Sequence, residues 1–114
     1  MVIKRALIIK KEHLDKIFDS GKIWEMRSGM THITERIGLI ESGSGLIMGE
    51  VDLDGTGYPI QSKVDAALNC DKHQVDNLDL LKKWKWPWLL ANPNRYPSPV
   101  PYNHPKGAVI WVKL

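Results

Sequence analysis

Lys22, Glu25 and Arg27 fall within six residues of one another in the stretch GKIWEMRSG. An amine, a carboxylate and a guanidinium at that spacing offer a donor, an acceptor and a planar fork to a polar ligand. Burial would lower the pKa of the Lys22 amine and let it polarise a carbonyl or activate water. Left in solvent, it is a helix-end lysine that favours the helix dipole by roughly a few tenths of a kcal/mol. In an extended strand Ile23, Glu25 and Arg27 share one face and Trp24 and Met26 the other, which makes Glu25 and Arg27 neighbours. Facing a cleft, the carboxylate accepts from a base amine and the guanidinium binds a phosphate or a carbonyl; exposed, the pair is worth under about 1 kcal/mol. Trp24 and Met26 are assigned to the core. Lys22 joins the pair if the chain bends after Gly21.

Tryptophan is the compositional oddity, with five against one Phe and three Tyr. Trp84, Trp86 and Trp88 alternate and share one face if extended. Trp88 is expected to be buried, and Trp84 or Trp86 to reach ligand, since an indole stacks on an unpaired base for roughly 1–3 kcal/mol. Lys82, Lys83 and Lys85 interleave with them as KKWKW, a pattern that suits a single-stranded phosphate backbone and equally a solvated helix end. Tyr102 and His104 sit in a proline-rich stretch and either line the mouth of a cleft or staple their own loop. His13, His32, His73 and His104 show no metal-ligand spacing, so neither a metal site nor a cofactor is expected.

The elements that must position these groups follow from periodicity and punctuation. Arg5–Ile9 is a short apolar run, the length of a buried strand. Leu14, Ile17 and Phe18 paint one face of a helix over 12–20, and Gly21 suits a left-handed cap. Strands are expected over 23–27, 36–41 and 46–53, the last two joined by the hairpin turn Ser42-Gly43-Ser44-Gly45. The SGSG amides could face a phosphate, but the turn already accounts for them. Two short helices are expected between 60 and 83, broken near 69–72. A strand start at 84–91 is interrupted by Pro87, which confines it to an edge or an irregular entry. Five of the seven prolines fall in 92–105, which is expected to be extended or looped. A final strand is expected over 108–113. This order favours an α+β fold with a mostly antiparallel, partly closed sheet and short helices at its ends.

At 114 residues the chain suits one domain, 1–114, and its charge of +3 permits an anionic partner without requiring one. Cys70 is the only cysteine, which excludes an internal disulfide and a cysteine zinc site and fits a reducing compartment. The N-terminal apolar run is far short of a signal sequence or a span, so the expected location is cytoplasmic, with no membrane and no disulfide-linked partner.

Several of these stretches together resemble the ASCH domain, a relative of the PUA domain. They are the helix closed by glycine and followed by Lys22-x-Trp24-Glu25-x-Arg27, the RIGLIESGSGLIMGEV hairpin, Trp88-Leu89-Leu90, and the closing PVPYNHPKGAVIWV. The resemblance runs from about Arg5 to Leu114. It implies a PUA-like barrel with helices flanking a cleft, the Lys22–Arg27 segment facing that cleft, and a role in RNA metabolism. The leading expectation is a protein that binds RNA or a single nucleobase through Lys22, Glu25 and Arg27, helped by Trp84, Lys85, Trp86 and Tyr102. Two enzymatic alternatives attach to relatives. One is hydrolysis of the acetyl amide of N4-acetylcytidine, with a lysine, a threonine three residues on and a distal glutamate. Lys22 matches the lysine; Glu25 stands at the threonine, and the glutamate falls near Asn77, beside Asp76. Lys22 with Glu25 or Asp76 would then carry the chemistry. The other is metal-dependent cleavage of single-stranded RNA.

Overall fold

A computed structural model describes residues 3–114. Its frame is one six-stranded sheet, curled into a half-barrel, with a few short helices: an α+β fold. The chain runs β1 (Arg5–Ile9), α1 (Lys11–Asp19), β2 (Trp24–Arg27), β3 (Thr34–Glu41), β4 (Leu46–Thr56), α2 (Lys63–Leu68) and α3 (Cys70–His73). A 3-10 turn (Leu78–Lys82), β5 (Trp86–Pro101) and β6 (Trp111–Lys113) complete it. The strand order is β2-β5-β4-β3-β1-β6. Only β1 and β3 are parallel among the described pairs, because α1 and β2 intervene between them as a crossover; the other neighbours are antiparallel.

The main core fills the concave side. Leu14 and Ile17 of α1 are buried against Leu7, Ile37, Leu39, Val51 and Trp88, as the spacing of the helix predicts. Gly49 is the point of closest approach. A Cβ there would sit 2.6 Å from Phe18 Cζ and 2.9 Å from Arg95 Cα, so α1 crosses β4 where the strand carries no side chain. Arg95 also lies over the Phe18 ring, 4.6 Å from its centroid.

Several boundaries differ from those expected of the sequence. The proline-rich stretch is continuous with the strand before it, so β5 runs for 16 residues. Its tolerance of proline has a structural cause. β2 covers one side of β5 only over 86–89, and beyond that point this side is an edge. Along β4 the register shifts three times, and Pro93, Pro97 and Pro99 fall between registered pairs. These are the two situations in which a sheet accommodates a residue without an N–H.

The break expected near 69–72 falls at Asn69, between α2 and α3, and a second one follows at 74–77, where Gln74 adopts a left-handed φ of 51°. Asn77 then caps the 3-10 turn, its Oδ1 accepting from Asp79 N at 3.1 Å. β4 extends three residues past Leu53 because Gly55, at φ +66°, carries the strand on to Thr56, its N–H donating to Ile33 O. The last strand is shorter than expected, although Ile8 N still bonds Ile110 O at 2.8 Å.

Trp24 and Met26 alternate with Glu25 and Arg27 along β2, although Met26 lines the same recesses as Glu25. They leave the barrel core to other residues: Met26 packs with Ala66 and Leu81, with Trp24 half-buried beside them, in a small cluster under α2 and the 3-10 turn. No described helix is long and apolar enough to cross a membrane. Cys70 is exposed.

Candidate functional site

The site begins at the end of α1. Gly21 takes a φ of +74°, and Lys22 N–H turns back to Lys16 O at 3.1 Å. The left-handed residue makes the bend that glycine permits, and it sends the Lys22 side chain inward. Three bonds fix this junction against α3: Ile23 N to Lys72 O at 3.0 Å, Lys16 Nζ to Gln74 O at 2.7 Å and Gln74 Nε2 to Ser20 O at 2.6 Å. Lys22 ends only 2 % exposed, its Nζ donating to the carbonyl of His73. Burial pushes its pKa down to about 8, against a smaller upward pull from Glu25. The group remains an ammonium near neutrality and loses its charge in mildly basic solution.

Glu25 is 5 % exposed. Arg27 reaches it with both Nε and Nη2, each 2.9 Å from the same oxygen, Oε2. Nη2 also donates to Ile8 O at 2.9 Å, and the guanidinium lies over Trp88, 5.5 Å from the ring centroid. Trp88 is buried as expected and is held by its own donation to Gly29 O at 2.8 Å. Arg27 is therefore committed to the protein, and what it presents to the cleft is a positioned Glu25. Oε1 of Glu25 has no partner among the described residues.

Two adjoining recesses share these groups. The outer one, about 260 Å³ and open, is lined by Ile9, Lys10, Glu25, Arg27, Ser42 and others. The inner chamber, about 40 Å³, is closed by Lys22, Val75, Leu80 and Leu81. Glu25, Met26, Trp84 and His13 line both. A chamber of that size has room for one water or a substituent of a few heavy atoms. Trp84, 37 % exposed, stands at the mouth. The arrangement can take a planar group against the indole in the outer recess and a small polar substituent inside, between ammonium and carboxylate.

The other residues singled out from the sequence are distributed differently. Asp76 does not join Lys22 and Glu25: its side chain is 96 % exposed, 3.6 Å from Lys16 Nζ, because the left-handed turn at Gln74 swings it outward. Trp86, half-buried, stands opposite Arg27 in the β2–β5 register and lines neither recess. Lys85 and Lys82 border a separate depression of about 390 Å³ beside α2. The alternation of KKWKW fails because β5 starts only at Trp86. Tyr102 lines a third recess next to the outer one.

His13 is the site residue that spacing among histidines did not reveal. Its Nδ1 is buried without a hydrogen-bond partner among the described residues, and burial followed by the nearby Lys22 charge lowers its pKa. The signal was its place on α1, one residue before Leu14 and so at the border of the buried face. His73 is structural: its Nε2 donates to Ala66 O at 2.7 Å and its Nδ1 accepts from Val75 N at 2.9 Å, which occupies both nitrogens. Among the described residues no group of three or more His, Cys, Asp or Glu is gathered to hold a metal ion. No protein-family model and no curated protein matches the sequence.

Proposed function

We propose that this is an ASCH-type, PUA-like protein that binds a nucleoside in the cleft and removes a small acyl group from the exocyclic amine of its base, as in N4-acetylcytidine. The supporting observation is the burial of Lys22 in a chamber whose wall also carries Glu25. A buried ammonium costs stability unless paired, and perturbed titrating groups gather at functional sites. The base stacks on Trp84 in the outer recess and the acyl group enters the chamber. Water from the outer recess, whose wall also carries Glu25, adds to the acyl carbon as one of its protons passes to Glu25, while Lys22 donates to the carbonyl oxygen as negative charge develops there. The C–N bond then breaks, the proton on Glu25 moves to the departing amine, and cytidine and acetic acid leave. This reading differs from the leading sequence expectation in ranking chemistry above binding, and it retires Asp76 in favour of Glu25.

Binding without chemistry is the second reading, favoured by Trp84 at the mouth. Incubation with N4-acetylcytidine, followed by chromatography for cytidine, separates the two. Product that disappears in Lys22→Met supports the hydrolase. Saturable quenching of tryptophan fluorescence without product leaves a nucleoside-binding module, and neither signal rejects both.

A further inference from the structure

The outer recess does not end at Ser42. Ile8, Ser42 and Val109 also line a third recess of about 440 Å³, bounded by Gly43, Gly45, Tyr102, His104 and Ala108. The three spaces thus form one groove, with Lys22 at its closed end and the SGSG hairpin turn at its open end. Its far end carries both an apolar wall and unused donors. Ile8, Val109 and the Tyr102 ring supply the wall. The amides of Gly43 and Gly45 and the hydroxyl of Ser42 have no partner among the described residues, whereas Ser44 is consumed inside the turn by Glu41 O and Leu46 N. Tyr102 is fixed in place: His104 Nε2 donates to Ala108 O at 2.9 Å, so Nδ1 is the acceptor, and Tyr102 Oη donates to it at 2.8 Å. Lys10, on the wall of the middle recess, puts positive charge between the two ends.

We infer that this third recess is a second subsite, taking the nucleotide next to the acylated one in a single strand, so that the substrate is a modified residue within an oligonucleotide. The inference rests on the nucleoside-binding reading above. A base lies on Tyr102 and the apolar wall, the linking phosphate passes Lys10, and ribose and phosphate oxygens accept from the SGSG turn. A free nucleoside would leave this end of the groove empty.

The test compares N4-acetylcytidine with a trinucleotide carrying it between two uridines, by tryptophan fluorescence titration and by product analysis. The wild type is expected to bind the trinucleotide at least tenfold more tightly. Tyr102→Ala, and independently His104→Asp on the exposed wall of the third recess, should erase that advantage and leave the affinity for the nucleoside unchanged. Equal affinity of the wild type for both compounds overturns the second subsite and leaves the nucleoside cleft standing. A trinucleotide preference that survives both substitutions also overturns it. Tyr102-dependent binding without product keeps the subsite and removes the hydrolase. Binding of neither compound removes both.

Discussion

Arg27 holds Glu25 by a single carboxylate oxygen: Nε and Nη2 both lie 2.9 Å from Oε2, and Oε1 is left without a partner among the described residues. Most arginine–carboxylate forks engage both oxygens. Here the one-sided grip fixes the carboxylate and keeps an acceptor free at the wall shared by the outer recess and the chamber. Glu25→Gln keeps the shape and removes the charge, and it is expected to slow hydrolysis by roughly 10²–10⁴-fold. Arg27→Lys keeps the charge without the fork and should fall between that variant and the wild type. Steady-state kinetics on N4-acetylcytidine check the order; an unimpaired Glu25→Gln would remove the carboxylate from the chemistry.

Lys22 makes stability depend on pH in an unusual direction. Its folded pKa, about 8, lies below the ordinary lysine value of 10.5, so between these values the unfolded chain binds more protons. Stability from this group therefore rises with pH across that window, by an amount on the order of 3 kcal/mol, and its cost is felt in full below pH 8. Urea titrations from pH 7 to 10.5 should show this rise in the wild type relative to Lys22→Met. That variant should match the wild type within about 1 kcal/mol at pH 7, since an apolar replacement of a buried charge is often neutral or stabilising. Parallel pH curves for the two proteins would contradict the burial of the amine.

His13 presents a buried Nδ1 that none of the described residues satisfies. An unmet polar atom costs stability, and at a recess wall it is available to a ligand. His13→Phe should be at least as stable as the wild type in urea, yet bind the nucleoside roughly tenfold more weakly. Unchanged binding would leave His13 as a wall residue.

Gly49 tests the packing of α1 on β4. Gly49→Ala forces its Cβ against Phe18, Arg95 and the backbone of Asn94, and it is expected to cost roughly 1–3 kcal/mol. Gly29→Ala, where a Cβ meets nothing within 4 Å, should stay within about 0.5 kcal/mol. Chemical denaturation of the pair gives the difference directly, and equal midpoints would refute the close approach.

The local features of this fold are legible in its sequence. Apolar spacing at Leu14, Ile17 and Phe18 set the buried face of α1, the alternation in WEMR put Glu25 and Arg27 side by side, and the SGSG turn paired β3 with β4. Each is a consequence of backbone period or turn chemistry over a few residues. Tertiary structure decided everything that depends on distant chain segments. Lys22 is buried because α3, fifty residues on, supplies the His73 carbonyl and the Val75–Leu81 segment after it closes the chamber. Trp84 reaches the cleft while Trp86 and Lys85 do not, because the start of β5 is set by its pairing with β2 and not by the alternation of its sequence. Asp76 leaves the site on one left-handed residue, Gln74, and His13 enters it because α1 crosses the sheet at Gly49. Desolvation and partner choice are properties of the whole packed chain, so the chemistry of Lys22 could be named from the sequence but its ionisation could not.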